Sequence, residues 1–461
     1  MFSAEVYKER RRKLRDKVGS GTILLLGNDE SSINFKDNWY HFRQDSTFLY
    51  FYGINLPGLT AVINCDSGEE IIFGDELTMD HIVWTGPQPT IAELASQSGV
   101  EKTLPTSKIS SNFGNKVHYL PPYRTHNQYK LSGWLSKPMS SVVSEASTTL
   151  IKAVVALRSY KTQEELNEIE KAVNITSAMH LGAMQFTKPG MVEAEVVGKI
   201  HQIAIAGGGN LSFPVIYTKN GQILHNHYHG NTLKENDLVL CDCGAETSMG
   251  YAGDMTRTFP AGTKFTSRQR ELYQVALNAH EAAIAALKPG IKYKDVHLLA
   301  SKTLVEGLTE VGLMKGNADE AVAAGAHTMF FQCGLGHMMG LDVHDMEDLG
   351  EQYVGYTESF KKSTEFGLKS LRLGKELEEN FVITVEPGIY IIPELIDMWK
   401  AENKYADFIN YDVLETYKDF GGIRIEEDFA ITSDGARLLG KPVAKTIEDI
   451  ERVRQESLEL A

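Results

Sequence analysis

The chain has 461 residues, of which 42% are hydrophobic and 23% charged, and a formal net charge of −15. That length exceeds one ordinary hydrophobic core and predicts two domains, while the negative balance argues against a nucleic-acid backbone as the main partner. No run approaches the ~18–20 apolar residues of a membrane span, and the four scattered cysteines (Cys65, Cys241, Cys243, Cys333) are too few for a disulfide framework. The first ten residues, Met1 to Arg10, run straight into charged sequence without the apolar core of a secretory signal, so a cytoplasmic protein is expected.

In chain order, Thr22-Ile-Leu-Leu-Leu26 reads as a strand ending at Gly27. Leu59 to Asn64 and Glu70 to Phe73, separated by Asp66-Ser-Gly68, read as a hairpin. These runs predict an N-terminal α/β domain over residues 1–157 with no visible catalytic cluster. A boundary follows near Arg158-Ser-Tyr-Lys161, so the second domain is expected over 158–461. Thr162 and Glu165 form a capping-box pattern, and Leu166, Ile169 and Val173 recur at helical spacing; that helix is expected to stop near Phe186, before Lys188-Pro-Gly190.

Gly207-Gly-Gly209 lacks the Gly-Lys-Ser/Thr of a phosphate loop and reads as a turn before Phe213-Pro214. The tract His225-x-His227-x-His229 is either three imidazoles on one strand face or the mouth of a loop, and the reading favoured is one pocket histidine with two spectators. A second helix over Ser267 to Leu287 ends at Lys288-Pro-Gly290, and helical patterns resume from Glu193 and from Lys294. Helix, Lys-Pro-Gly, helix thus occurs twice, a hundred positions apart, which fits a duplicated half-domain rather than a solenoid.

Candidate chemistry sits between and after these helices. Asp242 lies in Leu240-Cys-Asp-Cys-Gly244, Asp254 in Asp254-Met-Thr-Arg-Thr258, and His337 in Gly334-Leu-Gly-His337. Glu386 lies in Thr384-Val-Glu-Pro-Gly388 and Glu426 in Arg424-Ile-Glu426. Four carboxylates balance the charge of two divalent cations, and an oxygen-rich set with one imidazole suits Mn2+, Co2+, Mg2+ or Zn2+ rather than a thiolate-loving ion. A pair of such ions about 3.5–4 Å apart activates a shared water, so the pattern reads as a two-metal hydrolase. Strand alternation puts Asp242 on one face with Leu240, and Cys241 and Cys243 on the other. Cys241-x-Cys243 invites a zinc-site reading, but no second cysteine pair lies nearby, and buried core thiols are the preferred reading.

At these residues the chain resembles the pita-bread metallopeptidases that cleave at Xaa-Pro bonds, the prolidase and aminopeptidase P branch. The resemblance rests on Asn220-Gly-Gln-Ile-Leu-His225, Gly250-Tyr-Ala-Gly-Asp-Met-Thr-Arg-Thr-Phe259, Gly334 to Asp345, Val385-Glu-Pro-Gly-Ile-Tyr390 and Gly422-Ile-Arg-Ile-Glu-Glu-Asp428. Phe42 to Tyr50 also looks like this branch's N-terminal domain. The resemblance implies a two-domain α/β fold: an N-terminal creatinase/aminopeptidase P-like domain and a C-terminal pita-bread domain, a duplicated α+β unit. It implies Asp242, Asp254, His337, Glu386 and Glu426 as ligands of two divalent ions, most often Mn2+ with Co2+ or Zn2+ as alternatives, and Asp254 and Glu426 bridging them.

Glu386 would also handle the proton of the attacking water. His225 and His344 match the family's pocket histidines, Arg424 fits a supporting role beside Glu426, and Arg372 matches the arginine with which prolidases hold a dipeptide's carboxylate. Expected partners are proline-containing dipeptides or short peptides and a second copy of the chain, with neither nucleic acid nor membrane. Xaa-Pro dipeptide hydrolysis leads, and release of the N-terminal residue from longer Xaa-Pro peptides is the alternative. One departure stands out: Cys333 occupies the place, four residues before His337, where the family usually has histidine. A non-catalytic binding protein, or a metal-free hydrolase of the creatinase type, is disfavoured because all five ligand positions are kept.

Overall fold

The structure is a computed structural model that describes residues 1–459. The chain forms two compact units, one of Met1–Ser159 with Met346–Val354, the other of Tyr160–Asp345 with Gly355–Ala461.

In the first unit α1 (Ala4–Val18) buries Tyr7, Leu14 and Val18 and ends at Gly19, whose φ of 86° suits a residue without a Cβ. A mixed sheet follows, built from β1 (Thr22–Leu26), β2 (Thr60–Asn64), β3 (Glu70–Phe73), β4 (Lys102–Leu104) and β5 (Val117–Tyr119) in the order β4-β3-β2-β1-β5. The expected hairpin is present as β2 paired antiparallel with β3, from Thr60 opposite Phe73 to Ile63 opposite Glu70. Leu24, Val62, Ile71, Phe73 and Tyr119 close one core with Leu131 and Val142. Among the described residues no helix is long and apolar enough to cross a membrane.

The second unit is built twice over one plan. α2 (Gln163–Phe186) starts at the capping box in which Thr162 and Glu165 each satisfy the other's backbone N–H, and α3 (Glu193–Ala206) packs against it. α4 (Ser267–Ala286) and α5 (Tyr293–Glu310) repeat the arrangement. The two Lys-Pro-Gly corners match bond for bond. Gly190 N–H donates to Leu233 O and Gly290 N–H to Leu377 O, both at 2.8 Å. Val192 bridges Thr232 where Lys292 bridges Glu376. Both glycines take left-handed φ, 92° and 84°, which a side chain would strain.

Each corner feeds a strand. The first half holds β6 (Ile216–Thr218), β7 (Leu238–Cys243) and β8 (Met255–Pro260), a three-stranded antiparallel sheet with β7 central. The second half holds β9 (Val382–Val385), β10 (Gly388–Tyr390), β11 (Gly422–Arg424), β12 (Glu427–Ile431) and β13 (Ala436–Leu438). There β12 lies between β9 and β13, and β10 pairs with β11. The bridge between Thr256 and Glu426 joins the halves. Every residue of β7, β8, β9 and β12 is buried, and the polar ones among them are paired, as Arg257 Nη2 is with Glu427 Oε1 at 2.6 Å.

Candidate metal centre

β7 is the middle strand of its sheet, and Asp242 stands opposite Thr256 on β8 and Ile216 on β6. Asp254 immediately precedes β8, Glu386 follows β9, and Glu426 sits between β11 and β12. His337 comes from the Gly-rich segment laid along β9: its N–H donates to Thr384 Oγ1 at 3.1 Å, and Thr384 N–H donates back to His337 O at 3.0 Å. This approach needs the preceding glycine, because a Cβ on Gly336 would stand 2.2 Å from Thr384 O.

The donors converge. Asp254, His337 and Glu426 each offer an atom within 4.8 Å of the others. His337 Nε2 lies 3.4 Å from Asp254 Oδ2 and 3.5 Å from Glu386 Oε1. His337 Nδ1 is 3.0 Å from Met338 O, a contact that takes the ring proton and leaves Nε2 as the lone-pair nitrogen turned to the carboxylates. Asp242 is tied to Arg424 Nη2. Arg424 also donates through Nε to Thr256 Oγ1 at 3.1 Å and through Nη1 to Tyr390 Oη at 2.9 Å, and Thr256 Oγ1 donates to Glu426 Oε2 at 2.6 Å. One arginine and one threonine thereby fix two carboxylates that are far apart in sequence.

So many acids in one buried space repel one another. Burial, then the charge of Asp242, pushes the Asp254 carboxyl up to about 7. Burial and its three acidic neighbours raise Glu426 well above the carboxylate range, and Glu386 is raised chiefly by burial. Asp242 Oδ1 and Asp254 Oδ1 are buried without a hydrogen-bond partner. Orphaned oxygens beside mutually repelling carboxylates are what divalent cations relieve, so the donor set fits a metal centre with hard, oxygen-rich ligation. Glu386 is the most accessible of four donors, its side chain 18% exposed against 10% for Asp242, 6% for Asp254 and 4% for His337.

A cavity of about 220 Å3 opens over the cluster. Phe213, Pro214, Ile216, Leu224 and Val343 form apolar wall, and His225, His344, Arg372 and Arg424 supply the polar groups. The His344 ring stands edge-on to His337, centroids 4.3 Å apart. Burial, then the positive charge of Arg424, holds His225 below its ordinary pKa and favours a neutral ring. Arg372 is close enough for its charge to act on both His225 and Glu386.

One expectation changes. Of the two readings left open for the His225 tract the structure shows the loop, and His227 lines the cavity beside His225, so two imidazoles face it instead of one. His229 turns away, its Nδ1 3.2 Å from Tyr217 O. Cys333 lines the wall too, but its sulfur is 3.8 Å from Tyr390 Oη, outside the converging donor group, and burial pushes its thiol up to about 12. Its place outside that group makes it a wall residue. Thr256 and Tyr390 were not singled out from sequence. For Thr256 a signal existed, since it is two positions beyond Asp254 and strand period turns both toward one face.

The site therefore belongs to a class, the metal-dependent hydrolases with carboxylate-rich ligation. Comparison with known proteins narrows it. Residues 167–433 match the model of metallopeptidase family M24, and residues 7–120 match the aminopeptidase P N-terminal domain. The human Xaa-Pro dipeptidase is 33% identical over 457 residues, covering 96% of this chain and 90% of that protein. The Escherichia coli Xaa-Pro aminopeptidase is 30% identical over 469 residues, covering 98% and 97%. The solved aminopeptidase P from E. coli with the inhibitor Pro-Leu superposes with a TM-score of 0.82 at 29% identity over the whole of both chains. The chain belongs to metallopeptidase family M24, and it carries the two-domain fold of that branch.

Proposed function

We propose that this chain hydrolyses the peptide bond preceding proline, with Xaa-Pro dipeptides as its preferred substrates and two divalent ions, Mn2+ in the cell, held by Asp242, Asp254, His337, Glu386 and Glu426. The observation that carries the dipeptide preference is Arg372 in the wall of the cavity above those donors. A guanidinium fork there suits the carboxylate that a dipeptide carries on its proline. The likeness to the human Xaa-Pro dipeptidase supports the same reading.

When bound, the ions supply a water of lowered pKa and positive charge against the transition state. The chain's own residues do the rest. Asp254 and Glu426, the two deepest carboxylates, would hold the ions at the floor of the cavity. Glu386, the more accessible, takes the proton of the attacking water and passes it to the leaving nitrogen. His225 and His344 stand where they can donate to the carbonyl oxygen as it gains charge, and the apolar wall of Phe213, Pro214 and Ile216 packs the proline ring. Arg424 and Thr256 hold Asp242 and Glu426 in register.

The second reading, release of the N-terminal residue from longer Xaa-Pro peptides, is favoured by the match to E. coli aminopeptidase P along the entire chain. The test is hydrolysis of Gly-Pro against a Gly-Pro-Xaa tripeptide by chelator-stripped protein refilled with Mn2+. Faster turnover of the dipeptide supports the first reading, faster turnover of the tripeptide the second, and inactivity on both overturns the assignment. The proposal extends to a cytoplasmic homodimer, for which the four free cysteines and the family resemblance speak.

A further inference from the structure

A second cluster of metal-binding side chains lies on the far face of β7. Cys241 and Cys243 flank Asp242 and point away from the cavity, and His180 reaches them from α2. All three are fully buried. Cys241 Sγ is 3.8 Å from Cys243 Sγ, and Cys243 Sγ is 3.5 Å from His180 Nε2. The three donor atoms lie within 4.8 Å of one another. The remaining polar contact is His180 Nε2 to Cys243 O at 3.1 Å, while His180 Nδ1 is buried without a partner.

The two short distances match two edges of a tetrahedral site. With zinc–sulfur bonds of about 2.3 Å and zinc–nitrogen bonds of about 2.05 Å, neighbouring donors of a tetrahedral site stand about 3.8 Å apart for two sulfurs and about 3.5 Å apart for sulfur and nitrogen. Those are the separations observed. We propose that His180, Cys241 and Cys243 form a third cation site in this protein, structural and specific for a soft divalent ion such as Zn2+, behind the strand that carries Asp242.

Charge selects the ion. Two thiols lose their protons on binding and the imidazole stays neutral, so a divalent ion leaves the site uncharged. A monovalent ion such as Cu+ would leave a negative charge in a fully buried place, which is costly. To ligate, His180 gives up its contact with Cys243 O and carries its proton on Nδ1. The softness of the donors separates this site from the oxygen-rich centre on the other face, which suits Mn2+. Its consequence is positional: the ion pins α2 to β7 at the two residues that flank Asp242. Because the cluster is enclosed, the ion enters as the chain folds and does not exchange freely afterwards.

The test is made on full-length enzyme expressed in zinc-containing medium, dialysed against a chelator and refilled with Mn2+. Zinc content and the zinc-edge X-ray absorption spectrum are then measured. The expectation is about one zinc per chain that survives dialysis, with sulfur scatterers at about 2.3 Å. Cys243→Ser abolishes that zinc and Cys333→Ser leaves it in place. Zinc-free wild-type protein overturns the proposal, as does zinc with nitrogen and oxygen scatterers alone. Loss of the zinc in Cys333→Ser but not in Cys243→Ser overturns it as well, since the thiolate would then lie in the catalytic cavity. Should Cys243→Ser fail to fold, Cys333→Ser decides: sulfur-ligated zinc retained in it supports the site, and zinc lost from it overturns the proposal.

Discussion

Replacing Arg372 tests the substrate reading most sharply. The guanidinium lines the cavity, and its charge acts on both His225 and Glu386, so it looks into the site. A hydrogen-bonded pair with one charged partner contributes about 1.5–3 kcal/mol, and a bidentate arginine–carboxylate contact lies toward the upper end. Arg372→Ala is therefore expected to lower kcat/KM for Gly-Pro about 10- to 150-fold. The dipeptide's carboxylate keeps its charge from ground state to transition state. The lost interaction is thus uniform binding, and the loss falls on KM while kcat changes little. Gly-Pro amide and a Gly-Pro-Xaa tripeptide present no carboxylate at that position and lose much less. Arg372→Lys, which keeps the charge but not the fork, falls between. Steady-state kinetics on the three substrates reads this out. Equal losses on all of them, or a loss confined to kcat, would refute carboxylate recognition by Arg372.

Four further outcomes follow from the same geometry. Asp254→Asn removes a central ligand and is expected to abolish hydrolysis with the circular dichroism spectrum unchanged; retained activity would mean the ligand assignment is wrong. Thr256→Val breaks the link between Arg424 and Glu426 and should weaken metal affinity about 10- to 100-fold, read by metal titration. Cys333→Ala should leave bound metal unchanged, since the sulfur neighbours Tyr390 rather than the donors, and a fall in metal content would make the thiol a ligand after all. The fourth concerns pH. Asp254 is raised from 3.8 to about 7, and Glu386 and Glu426 are raised with it, so the folded state prefers these groups protonated. In ion-stripped protein the contribution of these three groups is then most favourable below the ordinary carboxylate range and is lost as pH rises toward about 7. Added Mn2+ competes with those protons, so one fixed Mn2+ concentration, a hundredfold over Kd and worth about 2.7 kcal/mol at about pH 8, should raise Tm less at about pH 5; an equal rise at both would count against the carboxylates as ligands.

What was legible in the sequence follows the range of the interactions. Helix ends were readable because their causes are local: Thr162 and Glu165 cap α2, and Lys-Pro-Gly stops both α2 and α4 within a residue or two of the expected place. The opposite faces of Asp242 and Cys241 were readable because strand period is local too, and the 3.8 Å between the two sulfurs bears it out. His180 was not readable as a neighbour of those thiols. It lies on a helix some sixty residues upstream, and nothing in a helical histidine announces which strand it will meet. His227 was not readable as a pocket residue because an irregular loop has no period to say which side chains turn inward. Both His225 and His227 reach the cavity there.

The duplication explains why donors so dispersed in sequence form one site. Counting from the carbonyls that receive the corner glycines, Leu233 and Leu377, Asp242 and Glu386 each come nine residues later, at or just past the end of the strand that follows. Asp254 and Glu426 then each stand directly before the strand that pairs back, β8 on β7 and β12 on β9. One strand pair used twice therefore places two carboxylates from each half, and the bridge between Thr256 and Glu426 brings the two copies together. The asymmetry is where function enters. The segment before β9 contributes His337, the loop before β7 contributes His225 and His227, and the stretch before β9 also carries Arg372. The repeated frame accounts for charge that two cations can balance, and the unrepeated loops account for what distinguishes one substrate from another.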